Sequence, residues 1–326
     1  MNIFFGAVSL AQAGQFEDMR AAVEKLFAFP ASVLAGTDGA MPCGYISDGG
    51  VVLGKAAEGD DYLVYLGFLQ RPLPGWDAGS PVDDPDHTAA YLLSRYREHG
   101  AGFLEGVHGQ YALAIHDGSV SKLMLACDPG GYRRLFYRYR DGNLVYGTSL
   151  AALSAGAGLA IDRSMEDFLL GFEFLPWNRT VYDGVSSLAA GTLLEFSADG
   201  LTTRQLATPA PSGSKMTAAD EDAVIASLEE EFMGTVGQLC PTDKRVAVLL
   251  GGFDSALIAA ALVRLGKEVE TFTFRYADER FNQAYTDMLA EHLGTTQTWV
   301  DIGPEERGKT IPDYALLFNQ PVGQMH

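Results

Sequence analysis

Cysteine is scarce in this sequence, which holds three among 326 residues. Cys43, Cys127 and Cys240 are widely spaced and form no C-x-x-C pair, so the sequence indicates neither a structural zinc site nor a disulfide framework. We expect each of them to be a free, buried thiol. The six histidines lack the H-E-x-x-H spacing or a similar one, which excludes the common histidine-based metal motifs.

Basic side chains are also few. The 23 lysines and arginines stand against 42 aspartates and glutamates, and the formal net charge is −19. This balance, without a long basic run, disfavours nucleic acid and anionic membranes as partners. No apolar run approaches the ~20 residues of a membrane-spanning helix, and the N-terminus lacks the basic region of a signal peptide. We therefore expect a cytoplasmic protein, whose length allows two domains with real cores.

Two common nucleotide-binding motifs, the Walker loop and the dinucleotide motif G-x-G-x-x-G, are absent as well. A different glycine turn is present at residues 246–255, which read VAVLLGGFDS. The apolar residues Val246 to Leu250 predict a strand covered on both faces, and Gly251 and Gly252 predict a turn that a ligand can approach closely. The Ala- and Leu-rich run from Ala256 to Leu265 predicts a helix closed by Gly266. Together these features predict an anion-binding site.

Asp254 narrows the kind of anion. A carboxylate at the start of a helix repels a phosphate group unless a divalent cation bridges the two. The pattern is therefore typical of a nucleotide held through its pyrophosphate and a metal ion. The alternative is that Asp254 and Ser255 only cap the helix, and the short glycine motif by itself leaves both interpretations open.

The residues after this junction continue a regular alternation. Strands are predicted at Val269 to Arg275 and Gln297 to Ile302, and a helix at Phe281 to Leu293 that Gly294 ends. Pro312 is placed in the first turn of a further helix. This β-α-β-α-β succession predicts an α/β domain with a doubly wound parallel sheet, whose ligand lies at the carboxyl ends of the strands.

The loop LGGFDS and the segments TFTFRY and AEHLGTTQTWVDI resemble the asparagine synthetase family, whose ATP-pyrophosphatase loop is written SGG-x-DS. The resemblance implies an adenine nucleotide α-hydrolase-like fold, with ATP and Mg²⁺ as cofactors. It implies that the backbones of Leu249 and Phe274 hold adenine and that Asp254 is the metal ligand. The pyrophosphate positions are Gly251, Gly252 and Ser255. Leu250 departs from the family, whose serine hydroxyl there helps to hold the pyrophosphate.

The segment ATPAPSGSKMT has the composition of a linker. We predict a first domain over residues 1–206, a linker at 207–217 and a second domain over 218–326. Thr217 and Asp220 resemble a helix-capping box, and the helix after them carries an apolar stripe that we interpret as core packing. The stripe comprises Val224, Ile225, Leu228, Phe232 and Val236.

Before the linker, short segments rich in aromatic and β-branched residues predict strands separated by glycine turns. We place them at residues 62–69, 111–116, 122–126, 135–139, 144–148 and 192–196, with one helix at residues 86–99. A layered α+β domain with antiparallel sheets follows. The segments FLEGVHGQYALAIHD and LMLACDPGGYRRLFYRYRDGNLVYGTSLAAL resemble the glutaminase domain of the same family, an N-terminal-nucleophile fold.

Glutaminase chemistry in that fold needs a cysteine, serine or threonine as the N-terminal nucleophile. Asn2 occupies this position, so we assign no catalytic residue. The family's glutamine-binding Asn-Gly-Glu stretch is matched best by the apolar Leu66 to Phe68, and neither Cys43 nor Cys127 is terminal. We therefore expect this domain to keep the fold without hydrolysing glutamine.

The sequence stops at His326, whereas the family's synthetase domain continues and carries a later glycine-rich acidic loop. With three predicted strands, the second domain leaves a sheet edge uncovered. We therefore expect an incomplete chain, or a site completed by a homodimer partner or another chain.

Three functions remain, in this order. The first is asparagine synthase-like, ATP-dependent amide formation through an acyl-adenylate, in which a carboxylate, ATP and ammonia or an amine give an amide, AMP and pyrophosphate. The second is intramolecular amide formation, as in β-lactam synthetases and lasso-peptide cyclases, relatives that also lack the N-terminal cysteine. The third is a pseudoenzyme that binds a nucleotide or a protein partner. In the first two the substrate is a small-molecule or peptide carboxylate.

Overall fold

The computed structural model describes residues 2–9, 15–35, 41–48, 52–70, 73–76, 84–176, 178–206, 221–240, 245–276, 283–305 and 308–309. These residues form two compact units, one within Met1–Pro209 and the other within Ala210–Pro312. The predicted linker at residues 207–217, the capping box at Thr217 and the helix expected at Pro312 lie outside the described residues.

Antiparallel sheets build the first unit, as the sequence predicts. Its strands are β1 (Ile3–Ser9), β2 (Ser32–Leu34), β3 (Cys43–Ile46), β4 (Leu53–Glu58), β5 (Asp61–Leu69), β6 (Gly109–Asp117), β7 (Lys122–Cys127), β8 (Phe136–Arg140), β9 (Asn143–Gly147), β10 (Ser186–Ser187), β11 (Thr192–Ser197) and β12 (Gly200–Gln205). Within the described ranges they form two six-stranded sheets, ordered β10-β8-β9-β1-β3-β2 and β12-β11-β7-β6-β5-β4.

The two sheets pack face to face, and helices cover their outer faces. Because side chains alternate along a strand, Phe4 of β1 joins the core between the sheets while Phe5 joins the core under the helices. The helices are α1 (Gln15–Phe27), α2 (Pro85–His99), α3 (Leu150–Ala157) and α4 (Arg163–Phe172). α1 and α3 cover the sheet that contains β1, and α2 covers the other. The layers are therefore helix, sheet, sheet, helix.

The second unit has the predicted alternation of strands and helices. Its elements are α5 (Glu221–Leu239), β13 (Val246–Leu249), α6 (Phe253–Arg264), β14 (Val269–Tyr276), α7 (Gln283–Leu293) and β15 (Thr296–Ile302). The described strands pair in parallel in the order β13-β14-β15. Gly266 and Gly294 follow α6 and α7 with left-handed φ angles of 75° and 67°, as expected of glycines that close helices.

The expectation that the strand at Val246 to Leu250 is covered on both faces is wrong for the described residues. Ala247 is exposed, and 55% of Leu249 is exposed. The reason is that α6 packs on the opposite face, where Val248 shares a core with Ala259 and Leu262. The described strands follow chain order without a reversal, so the doubly wound arrangement stays a prediction.

The apolar stripe of α5 is only partly the core that the sequence predicts. Ile225 is 55% exposed and Leu228 is 64% exposed, whereas Val236 packs against the core that α6 forms with the sheet. Within the described residues α5 meets the rest of its unit mainly through α6, so its N-terminal turns stay exposed. None of the helices in the described ranges combines the length and the apolar character needed to cross a lipid bilayer.

Candidate functional site

The loop between β13 and α6 lies at the carboxyl edge of the parallel sheet. Residues 250–255, LGGFDS, are called the glycine loop below. The Leu250 N–H donates to the carbonyl oxygen of Phe272 at 2.7 Å, which extends the pairing of β13 with β14 before the chain leaves the sheet. Parallel α/β sheets bind their ligands at this edge, so the glycine loop is well placed for a ligand site.

Backbone N–H groups of the glycine loop converge on one oxygen atom. Gly251 and Gly252 both donate to Ser255 Oγ at 3.1 Å, and the Ser255 hydroxyl donates to the Gly252 carbonyl oxygen at 3.0 Å. The same carbonyl accepts the Ala256 N–H at 3.1 Å and so begins α6. Adjacent N–H donors aimed at a single oxygen form the kind of nest that binds an anionic oxygen.

The fold does not require either glycine of this loop. A Cβ atom built at Gly251 or Gly252 meets nothing within 4 Å, and neither residue has a positive φ angle. The space over these backbone atoms is therefore open, which is what close approach of a phosphate group needs. The loop thus fits the phosphate groups of ATP.

Asp254 lies exposed in the first turn of α6. Among the described residues, no group of three or more histidines, cysteines, aspartates or glutamates is arranged to hold a metal ion. Mg²⁺ commonly binds one or two carboxylates together with the phosphate oxygens of a nucleotide. An exposed carboxylate next to a nest of backbone N–H groups fits an ion of that kind, and does not fit a metal site built from protein ligands alone.

Leu249 and Phe274, the residues expected beside adenine, lie on neighbouring strands. Leu249 is in register with Phe272, so it shares a sheet face with Phe274 two residues further on. The exposed fractions are 55% for Leu249 and 37% for Phe274. Both are therefore accessible on a sheet face next to the glycine loop.

Sequence reasoning missed an aromatic pair beside the glycine loop. Phe253 is 84% exposed, and its ring centroid lies 6.0 Å from that of Tyr285 in α7. The signal for Phe253 was present in the motif, where it occupies the variable position. Tyr285 carried no comparable signal, because only the fold brings the first turn of α7 next to the loop.

Two family models match parts of this chain, and one of the matches includes the glycine loop. A family model described as asparagine synthase matches residues 227–325, and one described as a glutamine amidotransferase domain matches residues 87–207. A Mycobacterium tuberculosis protein named putative glutamine-hydrolysing asparagine synthetase is 25% identical to this chain over 241 residues. The chain belongs to an asparagine synthetase-like family.

The chain spans little more than a third of the length of the curated asparagine synthetases that it matches. The match covers 71% of this chain and 37% of the M. tuberculosis protein. Asparagine synthetase 1 of Bacillus subtilis is 22% identical, over 73% of this chain and 38% of that protein. A solved B. subtilis glutamine phosphoribosylpyrophosphate amidotransferase aligns over 91% of this chain and 90% of its own, with 11% identity and a TM-score of 0.40. That score is too low to support an inference.

Leu250 is where this asparagine synthetase-like chain departs from the loop of its family. Its side chain is 1% exposed, and its carbonyl oxygen accepts a hydrogen bond from the Thr273 hydroxyl at 2.9 Å. Leu250 therefore packs in the interior and offers no hydroxyl group to a phosphate. Ser255 is the hydroxyl that remains in the loop.

We expect Leu250→Ser to lower the free energy of unfolding by about 3 kcal/mol, because it removes buried apolar atoms and buries a hydroxyl. Leu257→Ser in α6 is the matched control, since Leu257 is 58% exposed and the same change there costs less than about 1 kcal/mol. Differential scanning calorimetry compares the two variants. Equal losses would show that the burial of Leu250 is not what stabilises the loop.

Asn2, which the resemblance places at the position of the family's nucleophile, directly precedes β1 and carries a carboxamide. Its Nδ2 donates to Asp48 Oδ1 at 2.8 Å, and the Ser47 hydroxyl donates to Asn2 Oδ1 at 2.9 Å. Both ends of the carboxamide are thus held by neighbouring side chains. A carboxamide has no nucleophilic oxygen or sulfur, so Asn2 cannot attack glutamine as a terminal cysteine does.

The three cysteines are free thiols, as predicted. Cys43 and Cys127 are buried, as expected, whereas Cys240 is half-buried, so the expectation that it is buried is wrong. Burial raises the pKa of Cys43 to about 12 and that of Cys127 to about 11. Because the thiolate is the reactive form, neither Cys43 nor Cys127 supplies the missing nucleophile.

Proposed function

We propose that this protein forms amide bonds at the expense of ATP and that the glycine loop binds the phosphate groups of the nucleotide. The observation that carries the proposal is the convergence of the Gly251 and Gly252 N–H groups on one oxygen atom. The asparagine synthase match over residues 227–325 supports it, because that match includes the loop.

The proposed reaction couples a carboxylate to an amine through an acyl-adenylate. The carboxylate oxygen attacks the α-phosphorus of ATP and pyrophosphate leaves; the amine then attacks the acyl carbon and AMP leaves. A phosphate oxygen takes the place of Ser255 Oγ on the N–H groups of Gly251 and Gly252, and the Ser255 hydroxyl turns to donate to it. Asp254 would hold Mg²⁺, which would supply positive charge to neutralise the departing pyrophosphate.

We further propose that the nitrogen does not come from glutamine hydrolysed by the first unit. Asn2 supports this, because its carboxamide contacts Ser47 and Asp48 and has no nucleophilic atom. Free ammonia or an amine of the substrate then supplies the nitrogen. The same observation favours a second candidate, intramolecular amide formation of the β-lactam synthetase or lasso-cyclase kind, in which the amine and the carboxylate belong to one molecule.

A pseudoenzyme that binds a nucleotide or a protein partner is the third candidate. Leu250 favours it, since the family's phosphate-binding hydroxyl is replaced by a buried leucine. This candidate shares the nucleotide site with the first two and differs in turnover. Formation of AMP and pyrophosphate from ATP in the presence of candidate carboxylates separates the enzymes from the pseudoenzyme.

Isothermal titration calorimetry with Mg²⁺ and ATP tests the site directly. We expect saturable binding by the chain and binding about tenfold weaker by Asp254→Ala, because a metal ligand is lost. Glu291→Ala is the matched control, since Glu291 is also an exposed carboxylate on a helix of the same unit. It should bind like the unaltered chain.

Two results would overturn the proposed nucleotide site. A folded chain that gives no saturable heat with Mg²⁺ and ATP does not bind the nucleotide. Equal weakening by Asp254→Ala and Glu291→Ala would show that only net charge matters and that Asp254 holds no metal ion.

A further inference from the structure

Beneath the glycine loop, polar side chains of β14 and β15 form a hydrogen-bonded chain. Thr271 Oγ1 lies 2.5 Å from Gln297 Oε1, Gln297 Nε2 lies 2.7 Å from Thr273 Oγ1, and Thr273 Oγ1 lies 2.9 Å from the Leu250 carbonyl oxygen. Thr271 and Thr273 are 0% and 1% exposed. Gln297, between them, is half-buried. The hydrogen-bonded chain therefore joins two buried threonines through a half-buried amide and ends on the first residue of the loop.

One set of hydrogen-bond directions gives every polar atom of this hydrogen-bonded chain a partner. The Leu250 carbonyl oxygen can only accept a hydrogen bond, so the Thr273 hydroxyl donates its single proton to that oxygen. Thr273 Oγ1 must then accept from Gln297, which orients the amide with Nε2 toward Thr273 and Oε1 toward Thr271. Gln297 Nε2 also lies 3.5 Å from the Thr298 carbonyl oxygen. Because that oxygen can only accept, this contact agrees with the same orientation of the amide. Thr271 supplies the remaining proton to Gln297 Oε1.

The hydrogen bond that orients the Leu250 carbonyl also orients the N–H group of Gly251. Carbonyl and N–H point in opposite directions in a trans peptide plane. With the Leu250 oxygen held toward Thr273, the Gly251 N–H of the same peptide points away from the sheet interior, where it meets Ser255 Oγ at 3.1 Å. Rotation of this peptide would remove one of the donors of the nest.

We propose that Thr273, oriented by Gln297, is a positioning residue that aims the Gly251 N–H at the phosphate of a bound nucleotide, an inference that rests on the proposed function of the glycine loop. Neither side chain contacts the nucleotide. Thr273 acts through the Leu250–Gly251 peptide, and Gln297 acts through Thr273. Thr273 lies in the segment TFTFRY and Gln297 in the segment AEHLGTTQTWVDI, 24 positions further on, and only the fold brings the two side chains together.

Thr273→Val tests the proposal, because valine keeps the shape and removes the proton donor. Hydrogen–deuterium exchange of the peptide that contains the glycine loop, measured without nucleotide, should become about tenfold faster at Gly251, as expected when one neutral hydrogen bond is lost. The affinity for Mg²⁺ and ATP should fall by about the same factor. Thr273→Ser keeps the hydroxyl and should restore both values.

Thr286→Val is the matched control. It removes a hydroxyl that is equally buried in the same unit, on α7 and outside the hydrogen-bonded chain of β14 and β15. It should lower the melting temperature about as much as Thr273→Val and leave exchange in the loop unchanged. Equal acceleration of loop exchange by both variants would overturn the proposal, as would unchanged exchange in Thr273→Val. If the exchange results hold but the unaltered chain binds no ATP, the positioning role stands and the proposed function fails.

Discussion

ATP affinity is expected to fall about 100-fold when Gly251 and Gly252 are both replaced by alanine, while the free energy of unfolding changes by less than about 1 kcal/mol. We expect stability to be nearly unchanged because a Cβ atom at either position meets no protein atom within 4 Å. Alanine also restricts the unfolded chain, which offsets its weaker capping of α6 at position 252. A phosphate group that approaches the N–H groups, however, meets two added methyl groups.

Gly234→Ala provides the control for this double variant. Gly234 lies in α5 of the same unit, and a Cβ there also meets nothing within 4 Å. Calorimetric titration with Mg²⁺ and ATP should show unaltered binding for this variant. If the Gly251 and Gly252 double variant bound ATP as tightly as the unaltered chain, the nucleotide would lie elsewhere. If the double variant unfolded instead, the fold would require the two glycines, and the interpretation of the glycine loop as an open phosphate site would be wrong.

Gly67→Ala should destabilise the first unit by about 4 kcal/mol, the sum of backbone strain and overpacking. Gly67 has a φ of 139°, which side-chain-bearing residues rarely adopt. A Cβ there would lie 1.9 Å from the Gln110 carbonyl oxygen and 2.9 Å from the Tyr111 Cα. Both atoms belong to the backbone of β6, so the sheet itself would have to move.

Urea denaturation of Gly67→Ala and Gly171→Ala measures this effect. Gly171 lies in α4 without a positive φ and with no atom within 4 Å of a Cβ, so alanine there should stabilise slightly, by about 0.5 kcal/mol. A loss of less than about 1 kcal/mol in Gly67→Ala would contradict the close approach of β5 and β6.

The packing around Gly67 also explains why a glycine at this position does not indicate glutamine binding. Gly67 stands in the Leu66 to Phe68 stretch that resembles the family's glutamine-binding segment, and the packing of β5 against β6 by itself explains a glycine there. Its presence is therefore no sign of glutamine binding. Leu66 is 8% exposed and Phe68 is half-buried, and both side chains are apolar.

The sequence by itself determined the elements around the glycine loop. Five apolar residues, two glycines and an Ala- and Leu-rich run predict strand, turn and helix, and the structure has β13, the glycine loop and α6 there. The sequence likewise predicted that glycines end α6 and α7. Such features are local, because hydrophobic period and backbone freedom are properties of neighbouring residues. The family resemblance added the functional interpretation of the same residues.

Tertiary structure decided what depends on residues far apart in the chain. The predictions missed β1 and β3, yet β1 lies inside its sheet between β9 and β3. The exposure of Leu249 and of the first turns of α5 depends on which face other elements cover. The Thr273 to Leu250 bond joins positions that are 23 apart. A sequence pattern encodes period and flexibility, whereas burial and hydrogen-bond partners are set only when distant segments pack together.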